Sequence, residues 1–332
     1  MLRAGVDLGG TKIQSVIVDP EGEVLGQDRI PTPQDQGSAG VIAAMVASVR
    51  SALASANASL DDVLGVGVGA PGQIYHDDGT VSHAGNLPDW LGTVPVAGPL
   101  REALGVPIEL ANDVQVGVMA ESQLGAGRPY SSMLGIFCGT GVGGGIVIND
   151  ALWLGRGAAG EVGHMVVMPD GALCPCGRRG CLEAYAGRAA MEVEARRRVD
   201  HGKHTKLFTI MQKKGRSRVS SGVWAKALAK NDHMATELID RAVWALGLAS
   251  ASAVNLLDVE AVVIGGGLGC RLGTPFADRI RAAMIPHLIL PEKAPQVLSA
   301  ALGDLGGAMG AALRVQHTVP PPGNIGVVHE ED

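Results

Sequence analysis

Residues Cys138 to Val147, Cys-Gly-Thr-Gly-Val-Gly-Gly-Gly-Ile-Val, constrain this chain more than any other stretch, because Asp7-Leu8-Gly9-Gly10-Thr11-Lys12 echoes them near its start. Each copy is flanked by apolar, β-rich residues: Ala4 to Val6 and Ile13 to Val18 around the first, Leu134 to Cys138 and Ile146 to Ile148 around the second. Each therefore reads as a β-hairpin whose tip is a Gly/Thr turn. Glycine lets the main chain approach a ligand closely and exposes a run of N–H donors, and Thr adds a hydroxyl. Two such tips facing one another would grip a polyphosphate from both sides. A single glycine tip has a plainer explanation, since tight hairpins need φ > 0 whatever they bind. The spacing is neither that of a Gly-x-x-x-x-Gly-Lys-Ser/Thr loop nor that of a dinucleotide-binding turn, both of which pass from strand into helix.

A length of 332 residues points to about two domains. With 48 glycines and only 3% aromatic residues, the core must be built largely from Ala, Val, Leu and Ile, as in α/β layers joined by glycine turns. A net charge of −6 argues against general affinity for nucleic acid or an acidic membrane. Met1-Leu2-Arg3 leads straight into a strand without a signal peptide, and no apolar run approaches the roughly 18 residues that span a bilayer, so a cytoplasmic protein is expected. Three of the five cysteines lie between Cys174 and Cys181, which suggests metal rather than disulfides.

Beyond the first hairpin, Val24 to Ile30 reads as a strand, Gly40 to Ala56 as an amphipathic helix, and Leu64 to Gly72 as a buried strand ending in a Pro-Gly turn. Asn86-Leu87-Pro88-Asp89-Trp90 either borders a ligand site or is a loop whose Trp90 covers the core. His76 and His83 read as solvated loop residues. Pro107 to Leu110 is a short strand, followed by Asn112-Asp113 and a helical run from Val114 to Leu124 that stops at Gly125. Asn or Asp there makes a helix N-cap worth about 1 kcal/mol. Alternatively, Asp113 points from the helix start into a cleft and accepts a proton from an alcohol.

Gly160-Glu161-Val162-Gly163-His164 precedes Cys174-Pro175-Cys176-Gly177-Arg178-Arg179-Gly180-Cys181-Leu182-Glu183. Three thiols and one imidazole form the usual set for a closed, structural Zn²⁺ site, so His164, Cys174, Cys176 and Cys181 are the candidate ligands. Such a metal would order the loop and place Glu161 and Glu183; the alternatives are free buried thiols beside a satisfied histidine, and two glutamates that are ordinary surface charges. Cys138 and Cys270 read as small buried apolar residues.

On these motifs the chain resembles the ROK family of sugar kinases, and most of all its bacterial glucokinases. Asp7 to Lys12 is similar to the family's first phosphate motif and Gly139 to Gly145 to its second. Ala159 to His164 together with the Cys-x-Cys-Gly-x-x-Gly-Cys-x-Glu run is similar to its signature and zinc motif, and Asn255 to Gly267 to its adenosine-side motif. The resemblance runs from residue 4 to about residue 315. It implies an α/β, actin-like ATPase (ribonuclease H-like) fold with two α/β domains and an interdomain cleft. The small domain would be residues 1–118 with 303–318, and the large one residues 119–302 with the zinc loop.

It implies as well ATP-dependent phosphorylation of a hexose, with glucose at its 6-hydroxyl expected, Asp113 as base, and Asn112, Asp113, Glu161, His164 and Glu183 around the sugar. Nucleotide and Mg²⁺ would fall to Asp7, Gly9, Gly10, Thr11, Lys12, Gly139, Thr140, Gly141, Gly265, Gly266 and Gly267. His164 would serve zinc with one ring nitrogen and the sugar with the other. The chain departs from the family pattern at Ala111 and Gln115. Other members phosphorylate N-acetylmannosamine, N-acetylglucosamine or fructose; some are sugar-responsive repressors with a helix-turn-helix before the first phosphate motif, where this chain has six residues. Family habit suggests a homo-dimer or homo-tetramer.

In the last third, residues 196–230 hold 11 of the 27 Lys and Arg but a single acidic residue, Asp200. That is either a solvated face, an anion path that would admit inorganic polyphosphate as donor, or a nucleic-acid contact. Ala235 to Val254 reads as an apolar helix with Trp244 in the core. Ala261 to Ile264 is a strand feeding Gly265-Gly266-Gly267, either a seat for adenosine or a plain strand-to-helix turn. Gly306 to Val315 is a closing helix, and residues 319–332 read as a disordered tail.

Overall fold

A computed structural model describes residues 1–315 apart from 86, 88 and 91. The expected tail, and Asn86 and Pro88 of the candidate loop, lie outside the described residues.

The first part runs β1 (Leu2–Leu8), β2 (Lys12–Val18), β3 (Val24–Pro31), α1 (Gly37–Ser55), β4 (Val63–Ala70), the short strands β5 (Gln73–Tyr75), β6 (Thr80–Ser82) and β7 (Val94–Pro95), α2 (Ala97–Leu104) and β8 (Ile108–Asn112). Then come α3 (Asp113–Gln123), β9 (Met133–Cys138), β10 (Val142–Ile148), β11 (Ala151–Leu152), α4 (Glu183–Ala186), α5 (Arg188–Asp200), α6 (Leu207–Lys213), α7 (Ser221–Leu228) and α8 (His233–Leu257). The chain closes with β12 (Ala261–Gly265), α9 (Gly266–Met284), β13 (Gln296–Ser299) and α10 (Gly306–Arg314).

The echo between the two glycine motifs extends to whole sheets. One sheet has the order β3-β2-β1-β4-β8 and the other β11-β10-β9-β12-β13. In each, a three-strand antiparallel meander is followed by two parallel strands on the far side of its first strand. Each sheet has its own core, one around Val6, Ile13, Met45 and Trp90, the other around Ile136, Leu182, Trp224 and Leu246.

Scarcity of aromatic residues is met by close backbone packing. A Cβ on Gly5 would lie 1.9 Å from the Ala308 carbonyl and one on Gly67 1.8 Å from that of Ala311, so these bare positions let α10 press onto β1 and β4. Helix α3 is shared: Val114 and Val118 sit on the glycine face of β10, while Gly310 of α10 packs on the Val116 carbonyl. A boundary between residues 118 and 119 falls within this helix.

Several expectations need correction. Helix α1 has 19 residues and meets the length and hydropathy test for a membrane span, contrary to the reading that no run comes near it. Its Val41, Met45, Val49, Ala52 and Leu53 are nevertheless buried in the first core. Trp244 is only partly buried, at the core's edge, edge-to-face with Tyr185 at 6.2 Å. Cys270 is half-buried on α9 rather than a core residue, unlike Cys138. Trp90 is fully buried, while His76 and His83 are exposed. In the basic stretch, Arg196, Arg197 and Arg198 pair with Glu192, Glu194 and Glu237, acids lying outside it, which favours the solvated face.

Candidate active site

Both glycine turns are hairpin tips, as expected. Leu8 pairs with Ile13 across the first and Cys138 with Val142 across the second. Yet Gly9, Gly10, Gly139 and Gly141 all lack the left-handed φ that a tight hairpin would demand, so turn geometry does not explain them. A Cβ on Gly139 would project into open space, its nearest neighbour the Gly141 carbonyl at 3.9 Å. Gly141 has an internal reason, since a Cβ there would strike Glu183 Oε2 at 2.1 Å.

The hydrogen bonds at the two tips share one pattern. In the first, Gly9 N–H donates to the Lys12 carbonyl (2.9 Å), while the carbonyls of Gly9, Gly10 and Thr11 accept from Thr32 Oγ1 (2.6 Å), Gln34 Nε2 (3.0 Å) and Thr32 N–H (3.2 Å). In the second, the Gly141 carbonyl accepts from Gly139 N–H (2.9 Å), that of Gly139 from Arg188 Nε (3.0 Å), and that of Thr140 from Ala189 N–H (3.0 Å). Carbonyls are used up, whereas the N–H groups of Gly10, Thr11, Thr140 and Gly141 have no partner among the described residues. A backbone so arranged repels no anion with its oxygens and offers it donors, the electrostatics of a phosphate nest.

Asp113 opens α3 directly after β8. The N-cap is Asn112, whose Oδ1 accepts from Val114 N–H (3.0 Å) and Gln115 N–H (3.2 Å) and whose Nδ2 donates to the Gly72 carbonyl (3.3 Å). Asp113 Oδ1 also accepts from Val114 N–H (2.9 Å), so both neighbours serve the start of the helix. Asp7 is the next-to-last residue of β1, which pairs with β4 as β4 pairs with β8, so Asp7 and Asp113 stand at the same end of one sheet's strands. Burial, then the charge of Asp7, push the Asp113 carboxyl up to about 7, with Glu161 adding to the rise and the Val114 N–H opposing it. Burial likewise raises Asp7 to about 6, against the pull of Lys12, which itself lies 3.6 Å from Asp304 Oδ1.

The candidate metal ligands come together: donor atoms of His164, Cys174, Cys176 and Cys181 all lie within 4.8 Å of one another. Cys176 and Cys181 sulfurs are 3.8 Å apart, and Cys174 Sγ is 3.8 Å from His164 Nδ1. Tetrahedral zinc with bonds of about 2.3 Å places its sulfurs about 3.8 Å apart, so the four residues fit the ion. Arg178 hydrogen bonds hold Cys176 down to about 6, whereas burial pushes Cys174 up to about 12 and raises Cys181, so a bound cation would have to displace the protons of the latter two.

His164 turns Nδ1 to the cluster and Nε2 toward Glu161 Oε2, 3.8 Å away. A Cβ on Gly163 would lie 1.9 Å from the Val142 carbonyl, which shows how tightly this loop is pressed against the second turn. Glu183 joins cluster to turn: Oε2 accepts from Val142 N–H (2.8 Å) and Oε1 lies 3.9 Å from Cys174 Sγ.

Gly265, Gly266 and Gly267 form a strand-to-helix turn from β12 into α9. A Cβ on Gly266, which has φ +73, would lie 2.6 Å from the Cys138 carbonyl, and one on Gly265 would strike the Phe137 ring, so both have packing reasons; a Cβ on Gly267 would meet only Ser221 Oγ at 3.7 Å. Sequence reading missed Thr32, Gln34 and Arg188, which brace the tips from a distance and carry no motif of their own.

The structure thus defines an α/β protein of two similar sheets with two hairpin tips whose amides are open, a carboxyl raised by burial and a His/Cys cluster that could hold a metal ion. The sequence pattern of the ROK family matches residues 3–318. The chain belongs to the ROK family, and its fold is the actin-like ATPase fold of that family. It is 34% identical over 317 residues to a glucokinase of Halalkalibacterium halodurans, covering 94% of each chain. It is 32% identical over 324 residues to an N-acetylmannosamine kinase of Haemophilus influenzae, covering 96% of this chain and 98% of that one. Among solved structures it superposes on a ROK family glucokinase from Streptomyces griseus, in complex with glucose and AMPPNP, with a TM-score of 0.80 at 33% identity, over 95% of this chain and 99% of that one.

Proposed function

We propose that this chain is an ATP-dependent sugar kinase that phosphorylates the 6-hydroxyl of glucose, with Asp113 as general base. The observation that carries the reading is the conjunction of two carbonyl-braced, amide-open tips with a carboxyl raised to about 7. A base in that range is about half ionised at pH 7 and, once ionised, basic enough to take an alcohol proton. The sugar oxygen attacks the terminal phosphorus, the bond to the departing ADP oxygen breaks, and the proton passes to Asp113. Little else is required, because phosphoryl transfer is accelerated by positioning and charge stabilisation.

Gly9, Gly10, Thr11, Lys12, Gly139, Thr140 and Gly141 are assigned to the phosphates, and Gly265 to Gly267 to the adenosine side. Asp7 would hold Mg²⁺ through water, and the bound ion would neutralise charge on the phosphoryl oxygens. His164, Cys174, Cys176 and Cys181 would hold structural Zn²⁺, which fixes the loop and the tautomer of His164. Asn112, Glu161 and His164 are assigned to the sugar hydroxyls, with Glu183 holding the metal loop against the second turn while its remaining lone pairs reach the sugar. The two lobes, residues 1–118 with 303–318 and residues 119–302, would close on the substrates about α3, in line with their separate cores.

Glucokinase and N-acetylmannosamine kinase relatives of similar identity make the sugar the open choice. Coupled ATP-consumption assays across glucose, N-acetylmannosamine, N-acetylglucosamine and fructose test it, with glucose expected to show the highest kcat/KM. Preference for an N-acetyl sugar would overturn the glucose assignment alone; consumption that no sugar stimulates would overturn the kinase.

A further inference from the structure

The two tips differ in what braces their carbonyls. Thr32 and Gln34, both neutral, serve the first tip. At the second, Arg188 does so from 48 and 49 residues away, its Nε on the Gly139 carbonyl at 3.0 Å beside its own main-chain N–H at 3.3 Å, and its Nη2 on Thr140 Oγ1 at 3.3 Å. Bracing needs no charge, as the first tip shows, and a half-buried cation is costly to desolvate. No carboxylate lies within ion-pair distance of Arg188 among the described residues. Burial correspondingly pulls its pKa down, with only Glu192 opposing.

Guanidinium has five N–H donors in a planar fork, and the two bonds to the tip leave the rest without a protein acceptor among the described residues. Within Cys138 to Gly145 there is no Lys or Arg, whereas the first tip includes Lys12 in its own sequence. Lys12, moreover, already faces Asp304 at 3.6 Å.

We infer that Arg188 is the second tip's phosphate-binding cation, bonding the phosphoryl oxygens of the nucleotide with the donors that the turn leaves unused. This rests on the kinase reading and adds to it a residue that the glycine motifs do not contain. Because Arg188 is tied to Gly139 and Thr140, its charge is held in place before nucleotide arrives, so little side-chain entropy is lost on binding.

Isothermal titration of AMP, ADP and ATP, without added Mg²⁺, into the full chain and into Arg188→Ala, Arg188→Gln and Arg188→Lys tests the inference. In the parent, affinity should rise from AMP to ATP. In Arg188→Ala the loss should grow with phosphate number, from near none for AMP to about 10–100-fold for ATP. Arg188→Lys should recover part of it, and Arg188→Gln, which can brace the carbonyl without charge as Gln34 does, should not. Recovery by Gln, or an equal loss for all three nucleotides, would overturn the inference and leave Arg188 a brace. A parent that binds none of them would instead sink the kinase reading and this inference with it. Lys and Gln variants preserve the tip's hydrogen bond, so the comparison stands even if the Ala variant does not fold.

Discussion

Asp113→Asn should abolish turnover and at the same time stabilise the protein, by an amount that depends on pH in a calculable way. The carboxyl rises from an ordinary 3.8 to about 7, mainly through burial and then through Asp7. Keeping the group ionised in the folded protein against that rise costs about 4 kcal/mol, and screening at its partly open side reduces this to about 2–4 kcal/mol. The sign follows from proton counting. Below pH 3.8 the group is protonated folded and unfolded, and costs nothing. Between 3.8 and about 7 only the unfolded chain ionises it, so stability falls as pH rises; above about 7 the whole penalty is present and constant.

Asn keeps the acceptor for Val114 N–H, a 2.9 Å bond in the parent, and carries no charge. Urea unfolding should therefore show Asp113→Asn more stable than the parent by about 2–4 kcal/mol at pH 8, by somewhat over a third of that at pH 5, by about a tenth of it at pH 4, and by nothing below about pH 3. In parallel, kcat/KM of the parent should fall about tenfold per pH unit below about 7, and the variant should retain sugar binding with its kcat lost. A variant less stable than the parent at pH 8, or a difference independent of pH, would refute the electrostatic reasoning. Near-normal turnover would refute the base.

Other substitutions probe the parts around that carboxylate. Cys176→Ser should weaken zinc binding by more than the 10–100-fold typical of outer-shell partners, measured by metal analysis after dialysis, and weaken sugar binding through the loop bearing Glu183. Gly139→Ala places a methyl in open space, so urea unfolding should change by less than about 1 kcal/mol while the nucleotide KM rises about tenfold or more and the sugar KM holds. Glu121 is only 2% exposed, and its carboxylate accepts from Ala126 N–H (2.9 Å), Ala301 N–H (3.0 Å) and Leu302 N–H (2.8 Å), clasping the segment before α10 to α3. Glu121→Ala strands those donors and should cost about 3–5 kcal/mol in urea unfolding; a loss under about 1 kcal/mol would mean that water replaces the carboxylate readily.

The parts of this protein that sequence reading reached are those written in short stretches. Both hairpins, the Asn112 cap and the clustered His164, Cys174, Cys176 and Cys181 could be found because turn chemistry, helix capping and thiol spacing each depend on residues a few positions apart. Even there, the ordinary explanation for the tip glycines, a demand for positive φ, does not hold for Gly9 or Gly139, and only coordinates reveal the open space in front of the latter. Helices α6 and α7 escaped notice because the basic residues around them mask a modest apolar pattern, and the acids that pair with Arg196 to Arg198 lie outside the charged run.

Sequence by itself determined the local chemistry: two glycine tips, one acidic residue after a strand, three thiols and an imidazole. Tertiary structure alone decided that Asp7, Glu161 and Asp113 share one neighbourhood and raise the last of them, that Thr32, Gln34 and Arg188 occupy the tips' carbonyls, and that Glu121 clasps the segment leading to α10. The physical reason is that a turn or a cap is fixed by bonds within a few residues. A carboxyl's proton affinity and an amide's freedom to bind depend instead on what distant segments bring within a few ångströms, and that is settled only when the two sheets and the helices around α3 pack.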